Sequence, residues 1–224
     1  MATTARMGLF TPSSLNLQPI TADVEFFRAW LRRPRRMGSL MASGRRLAAA
    51  VAACIRPDET GAVLELGGGT GSITRAILDA GRVAPKNLVV VEREARLCAI
   101  VATRCPGVRV ICGDAANLGN LLAKAGICRV RTIVSSLPFL SMRDADNRRI
   151  FEAAFAALAD DGEFIQYTYG PTSPIPREFL AAHRLEGKRR GWILLNVPAA
   201  AVWVYRRTPD MTRLDAADVS AKAA

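Results

Sequence analysis

The chain contains a single histidine, His183, among 224 residues. A lone histidine after a short predicted helix reads as a surface or capping residue, so imidazole catalysis is not expected. The five cysteines, Cys54, Cys98, Cys105, Cys112 and Cys128, are odd in number and form no C-x-x-C pair. They read as small buried apolar side chains in a reducing cytosol, and no metal site is expected. No apolar run approaches the roughly 20 residues of a membrane-spanning helix. The longest candidate, 192–205, is interrupted by Asn196 and Pro198. A positive segment followed by an apolar signal region is missing from the N-terminus. Any membrane contact is therefore expected from the cytoplasmic face. Internal repeats are absent, and low complexity is confined to residues 48–53.

Acidic residues are comparatively few: 31 lysines and arginines face 20 aspartates and glutamates, a net charge of +11. Such an excess attracts polyanions, either nucleic acid or an anionic membrane surface. The local arrangement favours the membrane. From Arg28 to Arg46 there are seven arginines and no acid. A helix over 24–33 segregates Val24, Phe26, Phe27, Trp30 and Leu31 from Arg28, Arg32 and Arg33. Pro34 ends it, and Arg35 and Arg36 continue the charge. An aromatic face backed by arginines suits a lipid interface, where each basic residue contributes about 1 kcal/mol near anionic lipid. The same face packed on the domain core is the alternative. A nucleic-acid groove would interleave stacking aromatics with the cations, so nucleic acid is not the expected partner.

The length allows one substantial core. Residues 1–20 read as a disordered tail, 21–56 as basic amphipathic membrane-binding or lid helices, 57–207 as the catalytic domain, and 208–224 as a flexible tail. Within the domain, strands are predicted at 63–66, 88–91, 108–112, 132–135 and 164–169. They alternate with helices at 72–80, 95–104, 117–123 and 144–159. A short helix near 176–183 precedes two strands, 192–195 and 202–205, close enough to form a hairpin. The expected fold is α/β, a seven-stranded mostly parallel sheet with a terminal antiparallel hairpin.

The first strand runs into Glu65-Leu-Gly-Gly-Gly-Thr-Gly71. Gly67, Gly69 and Gly71 allow a tight turn with close backbone approach to a ligand at a helix N-terminus. A dinucleotide fingerprint would need glycine or alanine where Ser72 stands. The E-x-G-x-G-x-G spacing instead resembles motif I of class I S-adenosylmethionine (SAM) methyltransferases. That resemblance implies SAM as cofactor, with S-adenosylhomocysteine as product. It also calls for an acid at the end of the second strand to hold the ribose hydroxyls. Glu92 stands there, 21 residues after Gly71. Asp114 ends the third strand, where the family accepts the adenine amino group, and the Ala115 N–H follows to reach the ring. Acids at successive parallel-strand ends share one crevice.

Several stretches together resemble the bacterial SAM-dependent phospholipid N-methyltransferases that convert phosphatidylethanolamine to phosphatidylcholine. They are Phe26-Phe-x-x-Trp30 through Pro34-Arg-Arg-Met-Gly38, motif I, Ser135-Ser-Leu-Pro-Phe-Leu-Ser-Met142, Gln166-Tyr-Thr-Tyr-Gly-Pro171, and Asn196-Val-Pro-Ala-Ala-Ala-Val-Trp-Val-Tyr-Arg206. The resemblance implies a peripheral enzyme on the inner face of the plasma membrane, whose N-terminal helix binds anionic lipid. Ser135, Ser136 and Tyr169 are the candidates for orienting the amine, and Tyr167, Tyr169 and Phe139 for holding the methylated ammonium by cation–π contact. Base-directed amino methyltransferases usually carry Asn or Asp where Ser136 stands. An RNA adenine N6-dimethyltransferase is thus the competing reading, disfavoured by Ser136 and by a chain that ends soon after Tyr205. A catalytically idle membrane module is a third, disfavoured by the intact Glu65, Glu92 and Asp114.

Overall fold

Apolar runs that exclude water on both sides set the centre of the molecule. The computed structural model describes residues 38–57, 60–193 and 199–208. In it, β1 (Ala62–Leu66), β2 (Leu88–Glu92) and β4 (Val130–Ser135) are almost wholly buried. Central parallel strands covered by helices on both faces read in sequence as such unbroken runs. Residues 1–20 and 209–224 lie outside the described residues. So does the segment carrying Phe26, Phe27, Arg28, Trp30, Arg32, Arg33, Arg35 and Arg36.

With β3 (Arg109–Cys112), β5 (Leu158–Thr168), β6 (Leu185–Ile193) and β7 (Ala200–Arg207), these strands form one sheet of seven in the order β3-β2-β1-β4-β5-β7-β6. Every pairing among β1 to β5 is parallel, and β7 is antiparallel to both of its neighbours. The order reverses between β1 and β4, which opens a crevice at the carboxyl ends of those two strands.

Two apolar layers hold the helices on the sheet. On one face, α1 (Gly38–Ala53) contributes Leu47, Val51 and Ala52, and α2 (Ser72–Asp79) contributes Ile77. The inner face of α1 therefore belongs to the core, while Arg45 and Arg46 point to solvent. The opposite face takes α4 (Leu118–Lys124), α5 (Asp144–Ala157) and α6 (Arg177–Ala182). There the Phe151 ring packs tilted against Phe139 and Phe179, with centroids 4.4 Å and 5.4 Å away. The remaining helix, α3 (Ala95–Arg104), runs against β2 and β3. Among the described residues, no helix is long and apolar enough to cross a membrane.

Three expectations need correction. The helix over 144–159 stops at Ala157, and β5 begins at Leu158. The Asp160-Asp-Gly162 stretch, which reads as a turn, sits inside β5 as an irregularity: Val130 pairs with Leu158, but Thr132 pairs with Glu163. Next, β6 begins at Leu185, seven residues before the expected 192, and residues 194–198 lie outside the described residues. Glu186, Lys188, Arg189 and Arg190 hide this strand because an edge strand with exposed charges has no apolar alternation to read. Finally, Cys98 and Cys112 are joined in a disulfide rather than standing as separate thiols, while Cys54, Cys105 and Cys128 are free. Their separation of 14 residues conceals a Cα distance of 6.1 Å, which arises only when α3 folds back along β3.

Replacing Phe151 by alanine is expected to cost about 3–5 kcal/mol, as truncation of a buried ring does. A urea unfolding curve of Phe151→Ala against the parent measures it, and a loss below about 1 kcal/mol would mean that this aromatic cluster is not the core it forms here.

Candidate active site

The chain leaves β1 through four residues that only glycine suits, for two different reasons. Gly67, Gly69 and Gly71 have φ of 78°, 53° and 82°, in the left-handed region that disfavours side chains. Gly68 has no such backbone requirement, but a Cβ on it would lie 2.4 Å from Val90 Cγ1. The alternate-glycine pattern does not single out Gly68. Its signal is packing, since the loop lies directly on β2. A Cβ on Gly69 would meet nothing within 4 Å, so this part of the loop opens onto free space. The loop is held in place by the Gly67 N–H donating to Val91 O at 2.8 Å and by the Gly71 N–H donating to Gly68 O at 2.9 Å.

The three acids take different positions. Glu92, nearly buried at the end of β2, accepts the Gly69 N–H on Oε2 and the Glu94 N–H on Oε1, both at 2.9 Å. Its carboxylate is thus tied to the glycine loop at the end of β2, and each oxygen retains a lone pair. Asp114 is exposed beyond β3 and caps the 3₁₀ turn Ala115–Asn117 by accepting the Ala116 N–H at 2.9 Å. Ala115 is buried beside it. Glu65 is fully buried beneath the loop, where Thr74 Oγ1 donates to Oε2 at 2.6 Å and Oε1 has no partner. Burial, opposed by the Thr74 hydrogen bonds and reinforced by Glu92, pushes the Glu65 carboxyl from an ordinary 4.5 up to about 8. Thr74 gives no motif signal, because its part is to hold an acid nine residues earlier.

Beside this loop lies a cleft. At the end of β4 the Ser136 N–H donates to Leu66 O at 2.9 Å, tying the next turn to β1. Leu137 follows, and its Cδ2 would stand 3.0 Å from a Cβ on Gly67, so the turn packs on the glycine loop. The cleft, about 490 Å³ including its open mouth, is lined by Ser136, Leu137, Pro138, Phe139, Leu140, Ser141, Gln166, Tyr167, Thr168, Tyr169 and Pro174. Among the described residues, this lining has no acidic, basic or histidine side chain. The Tyr167 and Tyr169 rings meet edge to face with centroids 5.9 Å apart. Burial first, then Tyr169 and Glu65, raise the Tyr167 phenol well above its usual range, against a smaller opposing effect of the Ser136 hydroxyl. Tyr167 is therefore neutral at any ordinary pH.

Ser136 and Tyr169 reach the cleft, with Tyr169 one residue past the end of β5. Ser135 does not. It is fully buried, and its Oγ accepts the Leu137 N–H at 3.3 Å. His183 is exposed at the end of α6, stacked on Phe179, and is not among the residues lining the cleft. Sequence reasoning overlooked Gln166 as a residue of the site. Its Nε2 donates to Leu137 O at 3.1 Å and to Tyr167 O at 2.7 Å, clamping the two walls together. A polar residue in the middle of the apolar strand Phe-Ile-Gln-Tyr was the available signal.

No family model matches the chain. Over 113 residues, 49% of the chain, it is 34% identical to a protein named ornithine lipid N-methyltransferase from Singulisphaera acidiphila, and the match covers 58% of that relative's length. Among solved structures it is similar to the 1,6-didemethyltoxoflavin-N1-methyltransferase of Burkholderia thailandensis with bound S-adenosylhomocysteine. The TM-score is 0.58 at 19% identity, covering 92% of this chain and 94% of that one. A glycopeptide N-methyltransferase complexed with SAM gives a TM-score of 0.54 at 15% identity, covering 74% and 94% of the two chains. The architecture is that of the class I SAM methyltransferases.

The Glu65 shift carries a sign that experiment can read. Between pH 4.5 and about 8 the folded protein holds a proton that the unfolded chain has lost. Stability of the ligand-free protein should therefore fall as pH rises through this window, with a slope of up to about 1.4 kcal/mol per pH unit. Glu65→Gln should flatten that part of the profile, as followed by denaturant unfolding at several pH values. Parallel curves for the two proteins would refute the assignment.

Proposed function

We propose that this chain transfers methyl groups from SAM to the amino head group of a membrane lipid. The acceptor we assign is phosphatidylethanolamine, with its mono- and dimethyl forms, on the way to phosphatidylcholine. The observation that carries the proposal is the cleft that adjoins the glycine loop, whose lining among the described residues is mostly apolar and aromatic, with no acidic, basic or histidine side chain.

The donor side fits the cofactor. The loop at 67–71 is open at Gly69; in this reading Glu92, held by the Gly69 and Glu94 N–H groups, would take the ribose hydroxyls, and Asp114 with the Ala115 N–H the adenine. When bound, SAM supplies a reactive methyl group on a positively charged sulfur. The protein's own residues then need to bring a neutral amine to it and exclude water.

An alkyl ammonium with a pKa near 10 is mostly protonated at pH 7, and an apolar cleft favours the neutral form by desolvation. Ser136 and Tyr169 offer hydroxyls to orient that amine. The faces of Phe139, Tyr167 and Tyr169 suit the cationic product through cation–π contact, whatever its degree of methylation. The single free proton leaves to solvent or to the lipid phosphate.

A lipid acceptor is supported by three features. Leu140, at 41% exposure, is a large apolar side chain left open to water on the cleft lining. The segment with Phe26, Phe27 and Trp30 beside Arg28, Arg32, Arg33, Arg35 and Arg36 suits an anionic membrane surface, on the cytoplasmic side in this reading. The partial relative is named for ornithine lipid, which is therefore the second acceptor to test.

Purified protein with methyl-labelled SAM should label phosphatidylethanolamine in anionic liposomes, or ornithine lipid if that is the preferred head group, and leave RNA unlabelled. Label in RNA alone would sink the proposal. Tyr169→Ala should reduce lipid methylation by roughly tenfold or more, whereas Tyr169→Phe separates ring from hydroxyl: full activity assigns the role to the ring.

A further inference from the structure

Among the described residues, two large apolar side chains stand exposed to water: Leu140 at 41% and Trp192 at 38%. Leu140 belongs to the cleft lining. The β-sheet register brings Trp192 to the same end of the molecule. It pairs with Ala201 of β7, and Ala201 pairs with Thr168 of β5, which also lines the cleft. Neighbouring strands lie about 4.8 Å apart, so Trp192 stands two strands, roughly 10 Å, from the cleft wall. The same strand carries Lys188, Arg189 and Arg190, all exposed. Its one acid, Glu186, pairs with Lys188 at 3.3 Å, so β6 keeps a surplus of positive charge.

An irregularity in β6 brings the charge and the ring together. Residues three apart in an unbroken strand point to opposite faces. Here Arg189 pairs with Trp203 and Gly191 with Val202, which leaves Arg190 as an extra residue and turns Trp192 back to the side of Arg189. The Arg189 guanidinium lies 5.0 Å from the Trp192 ring centroid. Arginine beside an amphipathic ring at the water boundary suits the head-group layer of an anionic bilayer. A strand for nucleic acid would offer several aromatic faces to successive bases. β6 offers one exposed ring, and Arg189 already covers one of its faces. The three cations also set like charges against a second copy pairing along this edge.

We propose that Trp192 and Arg189, with Arg190, dock the edge strand β6 on an anionic bilayer and so set the neighbouring cleft at the membrane surface. The inference deepens the lipid-amine reading above and rests on it for what the docked cleft receives. It puts a membrane contact on the sheet itself, apart from the N-terminal segment. A lipid head group then enters the cleft past Leu140 without its acyl chains leaving the bilayer.

Full-length protein and phosphatidylglycerol vesicles test this. Hydrogen exchange of the parent over 185–193 should slow several-fold with these vesicles and stay unchanged with neutral phosphatidylcholine vesicles. Unchanged exchange with the anionic vesicles, whether or not the protein sediments with them, overturns the proposal. Slowing by RNA alone, or slowing that rises with protein concentration without vesicles, overturns it too, in favour of nucleic acid or a second copy. Arg189→Glu/Arg190→Glu should lower the partition coefficient on the anionic vesicles about tenfold or more. Lys86→Glu/Lys124→Glu makes the same change of net charge at exposed residues near the opposite end of the sheet, and should lower it less than about threefold. Equal losses would mean a diffuse attraction and overturn the proposal. Phosphatidylglycerol carries no amine, so docking and methylation are scored apart. A protein that docks through 185–193 yet methylates no amine lipid fails the lipid-amine reading alone, with the docking surface established.

Discussion

The hydrogen bond from the Ser136 amide to the Leu66 carbonyl joins the end of β4 to the end of β1, at the point where the strand order reverses. The arrangement of the candidate site follows from it. Leu137 is brought down onto Gly67, so the wall of the cleft and the glycine loop become a single packed surface. The reversal opens the crevice, and this contact decides what borders it. Without it, the glycine loop and the cleft proposed for the acceptor would be two features on separate strands.

Around that junction the protein keeps buried polar groups in unusual states. Glu65 sits beneath the loop with one oxygen held by Thr74 and the other unpartnered, so in the ligand-free protein its carboxyl is neutral at pH 7. Glu92, one strand away, accepts a backbone N–H on each oxygen and so holds the loop's shape. Gln166 does the corresponding work for the cleft, tying Leu137 to Tyr167. Such groups lower the stability of an isolated core, and their concentration at one end of the sheet is what a binding site requires.

The legible parts of this molecule were those whose signal is local. Leu88-Val-Val-Val91 reads as a strand covered on both faces, and the tight turn expected at Gly67, Gly69 and Gly71 is there, with all three in left-handed backbone conformations. The illegible parts depend on neighbours far along the chain. Lys188, Arg189 and Arg190 carry no strand pattern, because an edge strand exposed to water needs none. Asp160-Asp-Gly162 reads as a turn, yet pairing with β4 draws it into β5. Cys98 and Cys112 read as separate apolar thiols until α3 returns along β3.

Sequence by itself determined the fold class, the glycine loop and the positions of Glu65, Glu92 and Asp114 at the ends of three strands. These follow from periodicity and from backbone conformations open only to glycine, which act over a few residues. Tertiary structure alone decided which polar groups meet. It withdrew Ser135 into the core and kept Ser136 at the cleft. It buried Glu65 deeply enough to hold its proton, and it set Gln166 between two carbonyls with its own oxygen unmet. Burial and hydrogen-bond partnership are properties of several strands packed together, and no single stretch of the chain contains them.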